Sequence, residues 1–197
     1  MSLVHLVLCL ALLPAAAAFA DGSDPEWPCI QPKVESLSAG LMWPVPVSVA
    51  ALSPQAQDLI EVLSLRRVGL DTADAEIRRF VESAPEVGPQ VLGNIFLGVF
   101  DRLASDRQRL IAGIGRYARS QTALAARVDS ARSEMDRLMA AEAPDFDRVD
   151  ALEAQIDWDE RIYHDRARSL VYVCETPVLL EKRAYAIAQM LLKHLPE

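Results

Sequence analysis

The sequence predicts an all-α protein: a helical-bundle body with a long projecting antiparallel coiled-coil hairpin and an extended, proline-rich N-terminal arm. Three observations predict it. Over residues 110–138, apolar side chains recur at Leu110, Ile114, Tyr117, Leu124, Val128, Ala131, Met135 and Leu138. The spacing alternates four and three, the narrow stripe one helix offers to another, with Gln121 its polar member. Val149, Leu152, Ile156, Tyr163 and Leu170 repeat the scheme downstream. Third, the two stripes match in register. In an antiparallel hairpin the numbers of facing residues add to a constant, and Leu138 with Val149, Met135 with Leu152, Ala131 with Ile156, Leu124 with Tyr163 and Tyr117 with Leu170 all add to 287. The same register sets Gln121 against Arg166, so both stripes turn polar in one layer, and matched polar layers fix register. Asp159 falls opposite Val128, within reach of Arg127 or Arg132 at the seam edge.

The chain has 197 residues, of which 51% are hydrophobic and 24% charged, enough to bury one core and a length that fits one domain. Its net charge of −8 argues against binding a phosphate backbone, and the hairpin arginines are interleaved with acids, so no nucleic-acid partner is expected.

Residues 1–20 read as a secretory signal peptide. The apolar run at residues 3–13 is too short to span a bilayer, Pro14 breaks it, and Ala18-Phe19-Ala20 fits a small-x-small cleavage site. The leading segment holds His5 but no Lys or Arg, which leaves an uncleaved anchor as the alternative. Cys9 sits too early for lipid attachment. No later segment is apolar enough to cross a membrane: the longest, residues 91–100, is interrupted by Gly93 and Asn94. After cleavage the protein is therefore expected to be periplasmic or extracellular and not an integral membrane protein.

Cleavage leaves two cysteines, Cys29 and Cys174, and in an oxidising compartment a lone pair usually forms a disulfide. No CxxC spacing favours a redox or metal dithiol. Residues 21–53 contain Pro25, Pro28, Pro32, Pro44 and Pro46, hence an extended arm, yet also Trp27, Ile30, Leu41 and Trp43. An arm this apolar should lie in a groove on the helices, pinned by Cys29 and anchored by its indoles.

The helical domain covers residues 54–197. Ser53-Pro54 starts its first helix, Leu59, Ile60 and Leu63 form that helix's buried face, and Gly69 ends it. Asp71 should cap a second helix bearing Ile77, Phe80 and Val81. Gly88-Pro89 opens a third, with no stop signal until about Ala141, on the order of 75 Å at 1.5 Å per residue. Its first half carries a broad apolar face, including Leu92, Phe96, Val99 and Leu103, suited to a bundle; beyond Ile114 the stripe narrows to a seam. The hairpin should thus occupy about residues 115–173, with its tip at about 141–146, where Pro144 forbids a continuous helix and Asp145 can cap the return. Thr176-Pro177 should break the return arm and start a last body helix bearing Leu180, Ala184, Ile187 and Leu191. Cys174 falls beside Gly113, with Gly115 nearby; helical glycines cost about 1 kcal/mol each, and close passage of the arm would justify them.

Chemistry has little support. Asp157, Glu160 and His164 share one helix face and are the best metal candidates, but no second His or Cys joins them at helical spacing. There is no G-x-S-x-G, no phosphate-cradling glycine loop and no haem attachment sequence. No cofactor and no enzyme activity are expected. The expected function is that of a non-catalytic interaction protein (an adaptor, a chaperone-like protein or an accessory subunit) whose hairpin meets an envelope protein or a second copy of itself. Arg137, Asp145, Phe146 and Arg148, near the tip, are the candidate partner-binding residues. The alternative is a periplasmic small-ligand or metal-binding protein, with its site near Trp27 and Trp43 or on the Asp157–His164 face.

Overall fold

The computed structural model describes residues 24–84 and 87–195. The expected signal peptide lies outside the described residues. Four α-helices follow the arm: α1 (Pro54–Ser64), α2 (Leu70–Ser83), α3 (Pro89–Met139) and α4 (Phe146–Leu192). Among the described residues there is no strand, and no helix is long and apolar enough to cross a membrane.

Each helix start has a local cause. Ser53 caps α1 by accepting a hydrogen bond from the Ala56 amide, and Pro54 occupies the first turn, where an amide hydrogen would be unused. Helix α1 ends at Ser64, before the expected Gly69, because the chain tightens: the Leu65 amide donates to Val62 and the Val68 amide to Leu65. Gly69 is the N-cap of α2, and Asp71 sits inside the first turn instead of capping it, where its charge still complements the helix dipole. At the tip, Asp145 caps α4 through the Arg148 amide at 3.0 Å, as expected.

The expected break at Pro177 does not occur: α4 runs through it. Pro177 offers no amide hydrogen to Val173, a loss that usually bends or ends a helix. Here packing on both sides outweighs it. Cys174 is tied to the arm one turn earlier, Pro177 itself is buried, and Leu180, Ala184 and Ile187 are locked in the core beyond. The hydroxyl of Thr176 donates to the Tyr172 carbonyl within this stretch.

Two separate cores result from the changing width of the apolar stripe. The body core unites α1, α2, the first half of α3 and the last turns of α4 through Leu63, Ile77, Leu92, Phe96, Leu103, Leu180, Ile187 and Leu191. The distal core is Val128, Ala131, Leu152 and Ile156, flanked by Met135 and Leu138. The antiparallel hairpin joins them, and between them residues 163–169 of α4 are all exposed.

The arm is held at three levels. Cys29 and Cys174 form the expected disulfide, with Cα atoms 5.5 Å apart. The arm crosses α3 at Gly115, where an added Cβ would stand 3.6 Å from the Glu26 carbonyl oxygen, and Arg119 meets the Glu26 carboxylate at 2.7 Å. Further along, Trp43 is buried and stacks on Phe96 with ring centroids 5.3 Å apart. The extended stretch beyond it satisfies its main chain on two side chains one turn apart on α3. Gln90 accepts from the Ser48 amide and donates to the Pro46 carbonyl; Asn94 accepts from the Ala50 amide and donates to the Ser48 carbonyl. Two amides thus do the work of a neighbouring strand. Gly93, between them, leaves room for Val47.

Candidate interaction surface on the hairpin

The hairpin is positioned by its seam and fastened by polar bridges along its edges. Asp159 is buried, and its carboxylate takes two hydrogen bonds from Arg127, at 3.0 and 2.7 Å, a fork-to-fork pairing of the kind arginine favours. Of the two arginines expected to reach it, Arg127 does so, while Arg132 pairs with Glu160. The polar layer differs in detail from the expected one. Gln121 donates to the main-chain carbonyl of Tyr163 at 3.1 Å, and Arg166 reaches Ser120 at 3.4 Å, so each bonds near its expected partner instead of to it, and the Gln121 Oε1 is left buried without a partner among the described residues. The Tyr117 hydroxyl is shielded from solvent without a partner among the described residues. Burial holds the Tyr117 phenol above its ordinary value, with the Arg166 charge pulling the other way.

At the tip, the four sequence-derived residues have different duties. Asp145 is committed to capping α4. Arg148 bridges to Glu134 on α3 through two nitrogens, at 3.1 and 2.8 Å. The Nε of Arg137 donates to the Ser133 carbonyl on its own helix. Phe146 alone has no internal duty: it is 61% exposed. Met139, the last residue of α3, is 52% exposed and also belongs to the tip. Its position next to the turn was the signal for it, outweighed by a pattern that places Leu138 in the seam.

Asp157, Glu160 and His164 do not assemble: among the described residues no three His, Cys, Asp or Glu side chains converge on a point that could hold a metal ion. Glu160 is engaged by Arg132, Asp157 faces solvent, and His164 stands edge-on to Tyr163 at 5.7 Å. A shallow groove of about 230 Å³ runs past Arg132, Glu160, Tyr163 and His164. Trp43 is not available as a ligand cage, being stacked inside the core, and the indole nitrogen of Trp27 donates to the Gln31 carbonyl at 2.6 Å.

The outer face of α4 was not foreseen. Trp158, Tyr172 and Leu179 lie fourteen and then seven residues apart, with Asp165 at the position between the first two, on the side opposite the seam, and all three are exposed. Seam periodicity draws attention to the buried stripe, so residues seven apart on the opposite side pass as surface. The chain matches no protein-family model, and no curated protein or solved structure aligns with it significantly.

Proposed function

We propose that the protein is an exported, non-catalytic interaction protein whose hairpin contacts a partner in the cell envelope. The observation that carries this reading is the tip: Phe146 and Met139 are apolar, solvent-facing and free of internal duty at the end of a rod with its own distal core. A large exposed apolar side chain among polar neighbours is the usual anchor of a protein contact. The disulfide supports residence in an oxidising compartment. The open groove and the edge ion pairs along the hairpin fit the rim of such a contact better than a reaction site.

Site-specific photo-crosslinking tests the proposal. A photoreactive residue at Glu142 or Asp147, both exposed at the tip, should give a discrete crosslinked band in the native host, which Phe146→Glu removes without changing helix content. A tip that crosslinks to nothing, or a band indifferent to Phe146→Glu and Met139→Glu together, would refute it. A band at twice the chain mass would assign the partner as a second copy.

A further inference from the structure

A cleft of about 290 Å³ opens between the arm and α3, at the small end of the range for small-molecule sites. Arg107 lines it and is only 4% exposed. Its Nε is shielded from solvent and has no hydrogen-bond partner among the described residues, and the Glu181 carboxylate stands off at 4.0 Å. Arg183, also buried, leaves its Nη2 unpartnered too, but it spends its other two nitrogens on the main-chain carbonyls of Leu63 and Val68, whereas Arg107 makes no hydrogen bond among the described residues. A guanidinium stripped of water and left short of acceptors is costly, and a carboxylate offers it the best-matched pair of oxygens. The remaining walls of the cleft mix neutral polar residues (Ser36, Ser105 and Gln108) with two other kinds. Leu37, Phe100 and Ala104 are apolar, and Glu35 and Asp101 bring negative charge to the exposed rim.

We propose that this cleft binds a small zwitterion of the α-amino-acid type. The carboxylate pairs with Arg107, the ammonium faces the acidic rim, and an aliphatic side chain lies against Leu37 and Phe100. Glu35 and Asp101 are exposed and screened, so they contribute selectivity more than affinity. They also disfavour a plain anion, which would meet two carboxylates on the way to one guanidinium.

Titration calorimetry and thermal melts of the disulfide-bonded full chain test this with L-leucine, isocaproate (no ammonium) and leucinamide (no carboxylate). L-leucine should bind saturably and raise the melting temperature. Each analogue should bind weaker by about tenfold or more, the cost of leaving a charged group unpaired. Asp101→Asn with Glu35→Gln should narrow the gap between L-leucine and isocaproate. Arg107→Met should abolish binding. Because loss of a core arginine can impair folding, Ala104→Phe provides a second variant that fills the cleft and keeps the charge; it too should abolish binding. No saturable response to any of the common amino acids, an equal response to isocaproate, or binding retained in Ala104→Phe would overturn the proposal.

Discussion

Gly93 and Gly113 lie on the same helix and respond differently to a methyl group. A Cβ at Gly93 would meet Val47 at 2.5 Å and the Trp43 indole nitrogen at 3.2 Å, whereas one at Gly113 finds only an arginine tip at 3.7 Å. Val47 is stiff and Trp43 is packed, so neither yields cheaply. Gly93→Ala should therefore cost about 1–3 kcal/mol, as overpacking does, and Gly113→Ala should add about 0.5–1 kcal/mol through helix propensity. Urea denaturation of the two variants reads both signs. The sequence pointed to glycine as the mark of the arm's passage, and Gly115 does lie beneath Glu26 at ordinary van der Waals distance. The steric demand falls instead on Gly93 and on Gly98, which faces Ile60, because the docking of Trp43 and α1 is a tertiary event that no local spacing records. Arg183 was equally hidden. It reads as a surface arginine on α4, yet it is buried with two of its nitrogens on the Leu63 carbonyl, near the end of α1, and the Val68 carbonyl in the following turn. Burial draws its guanidinium below the ordinary arginine value. It supplies a cation where the helix dipole is negative and satisfies orphan carbonyls. Arg183→Met should destabilise the body by on the order of 3 kcal/mol in the same measurement.

Among the elements, α3 and α4 were legible because a stripe of period three and four, sustained over many turns, has few other uses. The register was legible for the same reason, and side chains that bond across the hairpin lie within a few residues of their expected partners. What the pattern could not show was the outcome at Pro177. A proline is a local rule, and the fold overrides it by clamping α4 on both sides. It did set Asp159, an acid in an apolar stripe, within reach of Arg127 or Arg132 without choosing between them, and the structure gives the pairing to Arg127. That bridge makes a specific prediction for the hairpin. Arg127→Ala leaves the Asp159 carboxylate buried without its partner and should cost about 1–3 kcal/mol, part of the full penalty because Arg127 itself is well exposed. Adding Asp159→Leu should recover most of it, since an apolar residue there extends the seam. A double-mutant cycle in urea supplies the coupling energy, and a Leu variant that fails to recover stability would show that the acid has a further role.

At the scale of the whole molecule, the disulfide closes a loop of 145 residues around the body. The chain-entropy model assigns such a closure about 5 kcal/mol, with any strain subtracting. Replacing both cysteines by serine should lower the melting temperature substantially. The Trp43 and Asn94 anchors should hold the distal part of the arm, so Trp43 fluorescence should remain native below the new transition. The bond was readable from two cysteines left after the expected cleavage site. The cleft beneath the arm was not, because it exists only once residues 35–37 are laid across α3. The tip was readable in part: Phe146 stood out as off the seam, and Met139 beside the turn was passed over in favour of Leu138, whereas Trp158 and Tyr172 on the outer face of α4 become visible only when that face is known to be bare. The two apolar clusters, finally, have no side chain in common. Between them lie the few buried α3 residues Ile114, Ala118 and Leu124, facing a sparsely covered stretch of α4. Deuterium should accordingly enter the amides of Leu152 and Ile156 well before those of Ile187 and Leu191, giving the molecule a far end that melts and re-forms while its root stays folded.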